Sequence, residues 1–134
     1  LGIPSAAISL NSHKTSSFAG SQFVATTIAK HLLNYNPPKG TMLNVNVPNI
    51  NKKDFKGFHV TKQGNQNFID AFEKRVDPKG NVYFWIKGEI IDKDSSIDYD
   101  GKAVANGYVS ITPIHFNITN ESYINELKIK SINE

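Results

Sequence analysis

Apolar and polar positions follow distinct patterns along the first part of the chain and predict a strand–helix–strand unit over residues 1–56. Residues 3–9 (IPSAAIS) are small or apolar almost without interruption, which is typical of a parallel strand covered on both faces. Apolar residues recur every three or four positions over 18–35 and predict an amphipathic helix. Residues 42–47 (MLNVNV) alternate strictly and predict a second strand. A right-handed crossover would make the two strands parallel.

The middle of the chain, residues 57–91, has the pattern of an antiparallel hairpin that projects from the sheet. Its arms, 69–76 and 82–90, flank a DPKG turn in which the proline presets one backbone angle and Gly80 accepts a left-handed conformation. Four aromatic side chains lie on the arms, more than one hairpin can bury alone. We expect all four to contact another subunit; the alternative is that the hairpin folds back on its own core. They are Phe72, Tyr83, Phe84 and Trp85.

Residues 92–134 are predicted to add a signature strand and a C-terminal helix. A brief helix capped by Asp100 and closed by Gly107 would lead into the strand of segment 106–114 (NGYVSITPI). One face of this strand is apolar and the other carries serine and threonine, and Pro113 is expected to end its pairing. Residues 114–119 alternate again, and 120–130 form an amphipathic helix. The fold class is therefore α/β, with all 134 residues in a single domain.

Uncharged polar side chains on the predicted strands are the candidate substrate-side residues. Ligands of open α/β sheets bind where the parallel strands end. We therefore expect a substrate to meet Ser9, Asn44, Asn46, Ser110 and Thr112. The alternative for the two asparagines is that they only bond neighbouring backbone.

The sequence shows no established catalytic or metal-ligating motif. Four acids between residues 92 and 101 resemble a calcium loop, but with Gly101 at the sixth position the twelfth falls on Gly107, where a bidentate Glu is required. The histidines are not spaced as ligands, and only His115, just after the signature strand, is a candidate to watch. No Gly-x-Ser-x-Gly elbow is present. We therefore assign no catalytic and no metal residue.

Composition excludes several classes of partner. The net charge is +3, but Arg75 is the only arginine among 15 basic side chains, which disfavours a reader of nucleic-acid polymers. The chain has no cysteine and no apolar run of the roughly 18 residues that a membrane span needs. Its first residues lack the basic and apolar regions of a secretory signal. These features predict a cytoplasmic protein without a membrane partner.

Five motifs in order carry a resemblance to a known family: GIPSAAIS (2–9), LNVNVP (43–48), VTK (60–62), DPKG (77–80) and GYVSITP (107–113). Together they resemble the C-terminal half of the SurE-type 5′/3′-nucleotidases, the survival protein E family. The resemblance implies a Rossmann-like three-layer sheet and a homo-oligomer, either a dimer or a tetramer. It also implies hydrolysis of nucleoside 5′- and 3′-monophosphates with Mg²⁺ or Mn²⁺.

The same resemblance leaves the metal ligands outside this sequence. In the family an adjacent pair of aspartates, with a Ser and an Asn further on, holds the metal, in a half expected to precede residue 1, and no adjacent aspartate pair occurs here. Family members often have Asp where this chain has Asn117, and His where it has Glu121. The resemblance therefore does not extend to a role of this segment in an exchange of segments between subunits. The alternative functions are a non-catalytic oligomerisation or binding module and an unrelated α/β ligand-binding domain that needs no divalent ion.

Overall fold

The computed structural model describes residues 3–12, 14 and 17–129, apart from the side chains of Phe68, Asp70 and Ile90. The strands are β1 (Ala6–Asn11), β2 (Thr41–Pro48), β3 (Phe58–Val60), β4 (Gln66–Val76), β5 (Val82–Asp92) and β6 (Val109–His115). The helices are α1 (Ala19–Asn34), α2 (Asp100–Ala105) and α3 (Glu121–Ile129), with a 3₁₀ turn at Lys52–Asp54. The predicted strand–helix–strand start and the mixed α/β class are confirmed.

Four strands form the main sheet in the order β1-β2-β6-β3. β1 and β2 are parallel, as the right-handed crossover through α1 predicts. β6 runs antiparallel to β2 and parallel to β3. The amino end of β6 therefore lies beside the carboxyl ends of β1 and β2, which brings Ser110 to the edge where ligands of such sheets bind.

One face of the sheet is apolar and packs against α1. Val24 and Ile28 of α1 are buried against Val45, Val47 and Val109 of the sheet. These β-branched residues alternate with polar ones along β2 and β6, so one face of each strand enters the core. Burial of such a side chain contributes roughly 1.5–3 kcal/mol, which makes this cluster the main source of stability.

The opposite face is partly covered by α2, which packs against β6 and β2 through the buried Ala103 and Val104. Gly107 closes α2 as predicted. Its backbone angle φ is +87°, its N–H donates to the Val104 carbonyl, and the Tyr108 N–H donates to the Ala103 carbonyl. This Schellman motif satisfies carbonyl groups at the end of the helix. The predicted cap is wrong in detail, because Tyr99 is the capping residue and Asp100 begins the helix.

β4 and β5 form a hairpin that pairs, within the described residues, with no other strand. At its turn, the Gly80 N–H donates to the Asp77 carbonyl and Gly80 has φ of +87°. The Asp77 carboxylate also accepts hydrogen bonds from the Lys79 and Asn81 N–H groups, both at 2.8 Å. The pairing extends from Gln66 opposite Asp92 to the turn, so the arms are longer than predicted at both outer ends.

Two predictions for the C-terminal part are wrong. Pro113 does not end the pairing of β6, which continues to His115 opposite Thr41. Proline lacks only the N–H donor, and one missing donor does not stop a strand. No strand forms over 116–119, where the chain bends and turns before α3. The Asn120 side chain accepts the Tyr123 N–H at 3.1 Å and so caps α3; Lys130 of the predicted helix lies outside the described residues.

β1 is not covered on both faces in this structure. It lies at the edge of the sheet, and its residues are exposed or half-buried. Among the described helices, none combines the length and apolar character needed to cross a membrane.

Candidate functional site

A row of polar side chains crosses the main sheet at the carboxyl ends of β1 and β2. Ser9 pairs with Asn46, Asn46 with Ser110, and Ser110 with His59. Directly paired residues project from the same face of a sheet, so this row lies on the face opposite α1. The Asn46 Nδ2 atom lies 3.5 Å from Ser110 Oγ, a long hydrogen bond that leaves the amide other contacts to make. Ser110 itself is fully buried.

A second polar row lies two residues away from the first, before it on β2 and after it on β6. Asn44 pairs with Thr112, which is buried and whose hydroxyl lies 2.7 Å from that of the buried Thr61. The two hydroxyl groups satisfy each other, which removes the cost of burying them unpaired. The sequence-predicted residues therefore form two adjacent rows, of which the row containing Ser9 and Asn46 borders solvent.

An open cleft of about 420 Å³ lies over the first row. Its floor is the end of the sheet, and its other walls are α2 and the two outermost residues of the hairpin, which we call the hairpin root: Gln66 and Asp92. The remaining lining residues are Ser9, Leu10, Asn11, Asn46, Asp100, Gly101, Val104 and Ala105. The cleft thus has an uncharged side on the sheet and a carboxylate-bearing side opposite.

The hairpin root is held to α2 by polar contacts. The Asp92 carboxylate accepts hydrogen bonds from the Gln66 side-chain amide at 3.2 Å and from the Asp94 N–H at 3.0 Å, and Lys102 Nζ lies 3.3 Å away. Partial burial of the Asp92 carboxyl favours its neutral form. The three donors outweigh that effect and hold the pKa of Asp92 below its ordinary value, so the group is a carboxylate at neutral pH.

Asp100 and Gly101 join the root to the helix. The Asp100 carboxylate accepts the N–H groups of Gly64 at 2.9 Å and of Gly101 at 2.8 Å, which ties the loop before the hairpin to the start of α2. The Gln66 amide lies so close to Gly101 that a Cβ atom there would collide with it. A side chain at position 101 would therefore displace the Gln66 amide from its present position beside the start of α2.

The other two acidic side chains of this region, Asp94 and Asp98, accept hydrogen bonds from loop residues. Asp94 accepts the Asn65 N–H at 2.8 Å, and Asp98 accepts the Ser96 hydroxyl at 2.8 Å. The Ser96 hydrogen bond and the neighbouring His59 hold the pKa of Asp98 below its ordinary value. In the described part of the chain, no three His, Asp or Glu side chains come together as a group that could hold a metal.

The histidines are distributed over different parts of the molecule. His59 stands at the end of the first polar row, 3.5 Å from Asp98 and against the Tyr108 ring. His115 lies at the opposite edge of the sheet, in a separate cleft of about 780 Å³ beside Pro37, Pro38 and Phe116. That larger cleft is therefore remote from the polar rows. His13 lies outside the described residues.

Sequence reasoning missed the walls of the cleft. Gln66 and Asp92 lie outside the predicted arms of 69–76 and 82–90, and their convergence with Gly101 depends on where the hairpin ends. One signal was available: Gln66 and Asp92 are equidistant from the loop of residues 77–81, which contains the DPKG turn, and would pair in a longer hairpin.

Three comparisons with known proteins agree. The sequence model of a family described as survival protein SurE matches residues 1–70. A protein named 5′-nucleotidase SurE from Carboxydothermus hydrogenoformans is 36% identical over 129 residues, covering 95% of this chain and 49% of that protein. One with the same name from Christiangramia forsetii is 35% identical over 134 residues, covering 99% and 52%.

Among solved structures, that of the SurE protein from Aquifex aeolicus matches with a TM-score of 0.80 and 36% identity, over 96% of this chain and 52% of that one. The chain spans about half the length of the curated relatives it matches.

Proposed function

Because the chain belongs to the survival protein SurE family, we propose that it forms part of a phosphatase that hydrolyses nucleoside 5′- and 3′-monophosphates. The names of its relatives support a nucleotide substrate. The observation that carries the proposal for this chain is the polar row of Ser9 and Asn46, open to a cleft at the carboxyl edge of two parallel strands. That edge is where open α/β sheets bind ligands.

In this proposal the sheet side of the cleft binds the phosphate end of the substrate. The Ser9 hydroxyl and the Asn46 amide are uncharged hydrogen-bond donors, suited to phosphoryl oxygens. Ser110 is buried, and its hydroxyl orients the Asn46 amide. Asn44 and Thr112 form the adjacent row on the same face, and Thr112 is fixed by its hydrogen bond to Thr61. This chain therefore binds and orients the substrate.

The described residues do not fit a divalent cation, since they contain no group of three ligands. The family resemblance assigns the Mg²⁺ or Mn²⁺ to an adjacent aspartate pair, which this sequence lacks. We accordingly propose that the cation is held by a segment other than these 134 residues, and that the cytoplasm is the site of action.

We also propose that the hairpin packs against a second copy of the protein, in a dimer or tetramer. Strand alternation divides its aromatic residues between two faces. Phe72 and Phe84 share one face with three exposed aliphatic side chains, Val76, Val82 and Ile86. Tyr83 and Trp85 lie on the other face, beside Arg75 and Glu73. The first face is the more apolar of the two, and we propose it as the contact in place of the expectation that all four aromatic side chains take part.

A chimera tests the function: this chain replaces the matching half of the Carboxydothermus hydrogenoformans relative. We expect the folded chimera to hydrolyse AMP with added Mn²⁺ and to lose activity with EDTA. Asn46→Ala should lower kcat/KM roughly tenfold or more, as expected for the loss of a hydrogen bond to a charged group.

The matched control is Asn49→Ala, which removes an exposed amide that bonds only to the Ser12 hydroxyl among the contacts seen, and it should leave activity unchanged. A folded, normally assembled chimera without AMP turnover would refute the phosphatase role. It would favour the non-catalytic assembly module.

A further inference from the structure

The hairpin root lines the cleft, although pairing of the hairpin strands does not require it to do so. Gln66 and Asp92 form the last residue pair of the hairpin, at the end farthest from its turn. Both line the cleft opposite Ser9 and Asn46. A projecting arm could be anchored by loops alone. Here, its last pair of residues completes a wall that also contains Asp100 and Gly101.

Asp92 retains capacity to bind a ligand. A carboxylate offers about four acceptor positions. Three of these positions on Asp92 are taken by donors of Gln66, Asp94 and Lys102. Its side chain is 20% exposed, on the border of the cleft. A hydroxyl group of a ligand can therefore donate to the remaining acceptor position without displacing a contact.

The charges that line the cleft favour one orientation of a nucleoside monophosphate. Asp92 and Asp100 place two carboxylates on one wall, and Lys102 compensates only one of them. Like charges repel, so the phosphate is disfavoured there and favoured on the uncharged sheet side. Hydroxyl donors to a carboxylate form the stronger, charge-assisted kind of hydrogen bond. The neutral sugar therefore suits the carboxylate wall.

We infer that the hairpin root, Gln66 with Asp92, recognises the sugar hydroxyl groups of the nucleoside monophosphate and sets the preference of this site for ribose. This inference rests on the proposed function. Gln66 is the positioning residue, because its amide donates a hydrogen bond to the Asp92 carboxylate and lies beside Gly101. Asp92 makes the contact to the sugar.

The experiment is an NMR titration of the whole chain with AMP and with 2′,3′-dideoxy-AMP, which lacks both sugar hydroxyls. We expect wild-type protein to bind AMP about tenfold more tightly, with shifts at residues of the cleft such as Asn46 and Gly101. In Asp92→Asn the ratio should fall to about threefold or less, because a neutral acceptor bonds a hydroxyl about half as strongly.

Asp94→Asn is the matched control. It neutralises a carboxylate two residues away that bonds the Asn65 N–H and does not line the cleft, so the ratio should stay as in wild type. Amide resonances of the hairpin report whether each variant keeps the fold. If Asp92→Asn loosens the root, Gln66→Ala serves as the second variant. It should lower the ratio because Asp92 is no longer oriented.

Equal binding of the two nucleotides to wild-type protein would overturn the inference while leaving the phosphatase proposal intact, which the chimera tests separately. Binding of neither nucleotide would also overturn it. A ratio that is unchanged in both Asp92→Asn and Gln66→Ala would assign the sugar contact to other residues and refute the role of the hairpin root.

Discussion

The substitution Phe84→Ala tests whether the hairpin is an assembly surface. Phe84 lies on β5 opposite Lys74, in the middle of the apolar face, and 63% of its surface is exposed. Phe72, on the same face, is 65% exposed. An exposed apolar face of this kind on an isolated two-stranded hairpin is unfavourable in water unless another surface covers it.

The expected magnitude follows from the exposed area. A phenylalanine can bury about 200 Å², so the exposed fraction of Phe84 corresponds to about 125 Å². At about 25 cal/mol per Å², complete burial in an interface contributes about 3 kcal/mol per copy. Loss of that contribution raises the dissociation constant by at least about a hundredfold. Within the monomer, Phe84 contributes a cross-strand pair of about 0.2–1 kcal/mol, so the folding stability should change little.

Sedimentation velocity across a concentration series, together with thermal melts, separates the two effects. Trp85→Ala is the matched control, since Trp85 lies on the other face against Arg75, whose guanidinium is 5.0 Å from the ring centre. We expect Trp85→Ala to weaken association less than tenfold. Unchanged mass in Phe84→Ala, with a large fall in melting temperature, would refute the reasoning. So would dissociation by Trp85→Ala alone.

Three further predictions concern other parts of the molecule. Gly107→Ala should lower the free energy of unfolding by about 1–2 kcal/mol in urea titrations, because φ of +87° disfavours a side chain, while Ile50 at 3.5 Å leaves room for the methyl group. Unchanged stability would contradict this reading of the helix end. Asp77 has a pKa held below its ordinary value of 3.8 by the Asn81 side chain and by backbone N–H groups. The Asp77 carboxylate should therefore stabilise the turn fully above about pH 4, and this stabilisation should be lost as the pH falls through the depressed pKa. In Asp77→Asn, the NMR signals of the turn should not change with pH below about pH 4. Finally, the 134-residue chain alone should not hydrolyse AMP above background with Mn²⁺, and EDTA-sensitive turnover would show that ligands exist within it.

Several features of the fold could be predicted from local sequence because their causes are local. The DPKG turn works through the fixed angle of Pro78 and the left-handed tolerance of Gly80, and its neighbours pair as a result. The alternation over β2 decides which side chains enter the core, and the spacing of apolar residues decides which face of α1 meets them. Gly107 ends α2 for the same kind of local reason.

The candidate site could be predicted only in part. The strand pattern places Ser9 and Asn46 on one face, but it does not specify that β6 inserts beside β2 in antiparallel orientation, which brings Ser110 into the row. Nor does it show that Ser110 and Thr112 are buried. Strand order depends on contacts between residues far apart in sequence, and no short-range pattern encodes it.

What the sequence by itself determined is the set of elements, the turn chemistry and the division of each strand into an apolar and a polar face, since backbone preference and side-chain period act within a few residues. The tertiary structure alone decided that the hairpin continues to Gln66 and Asp92, and that these meet Gly101 and the polar row around one cleft. The outermost pair of the hairpin, Gln66 and Asp92, gives no apolar signal in the sequence, because these residues bond each other and α2 rather than enter the core.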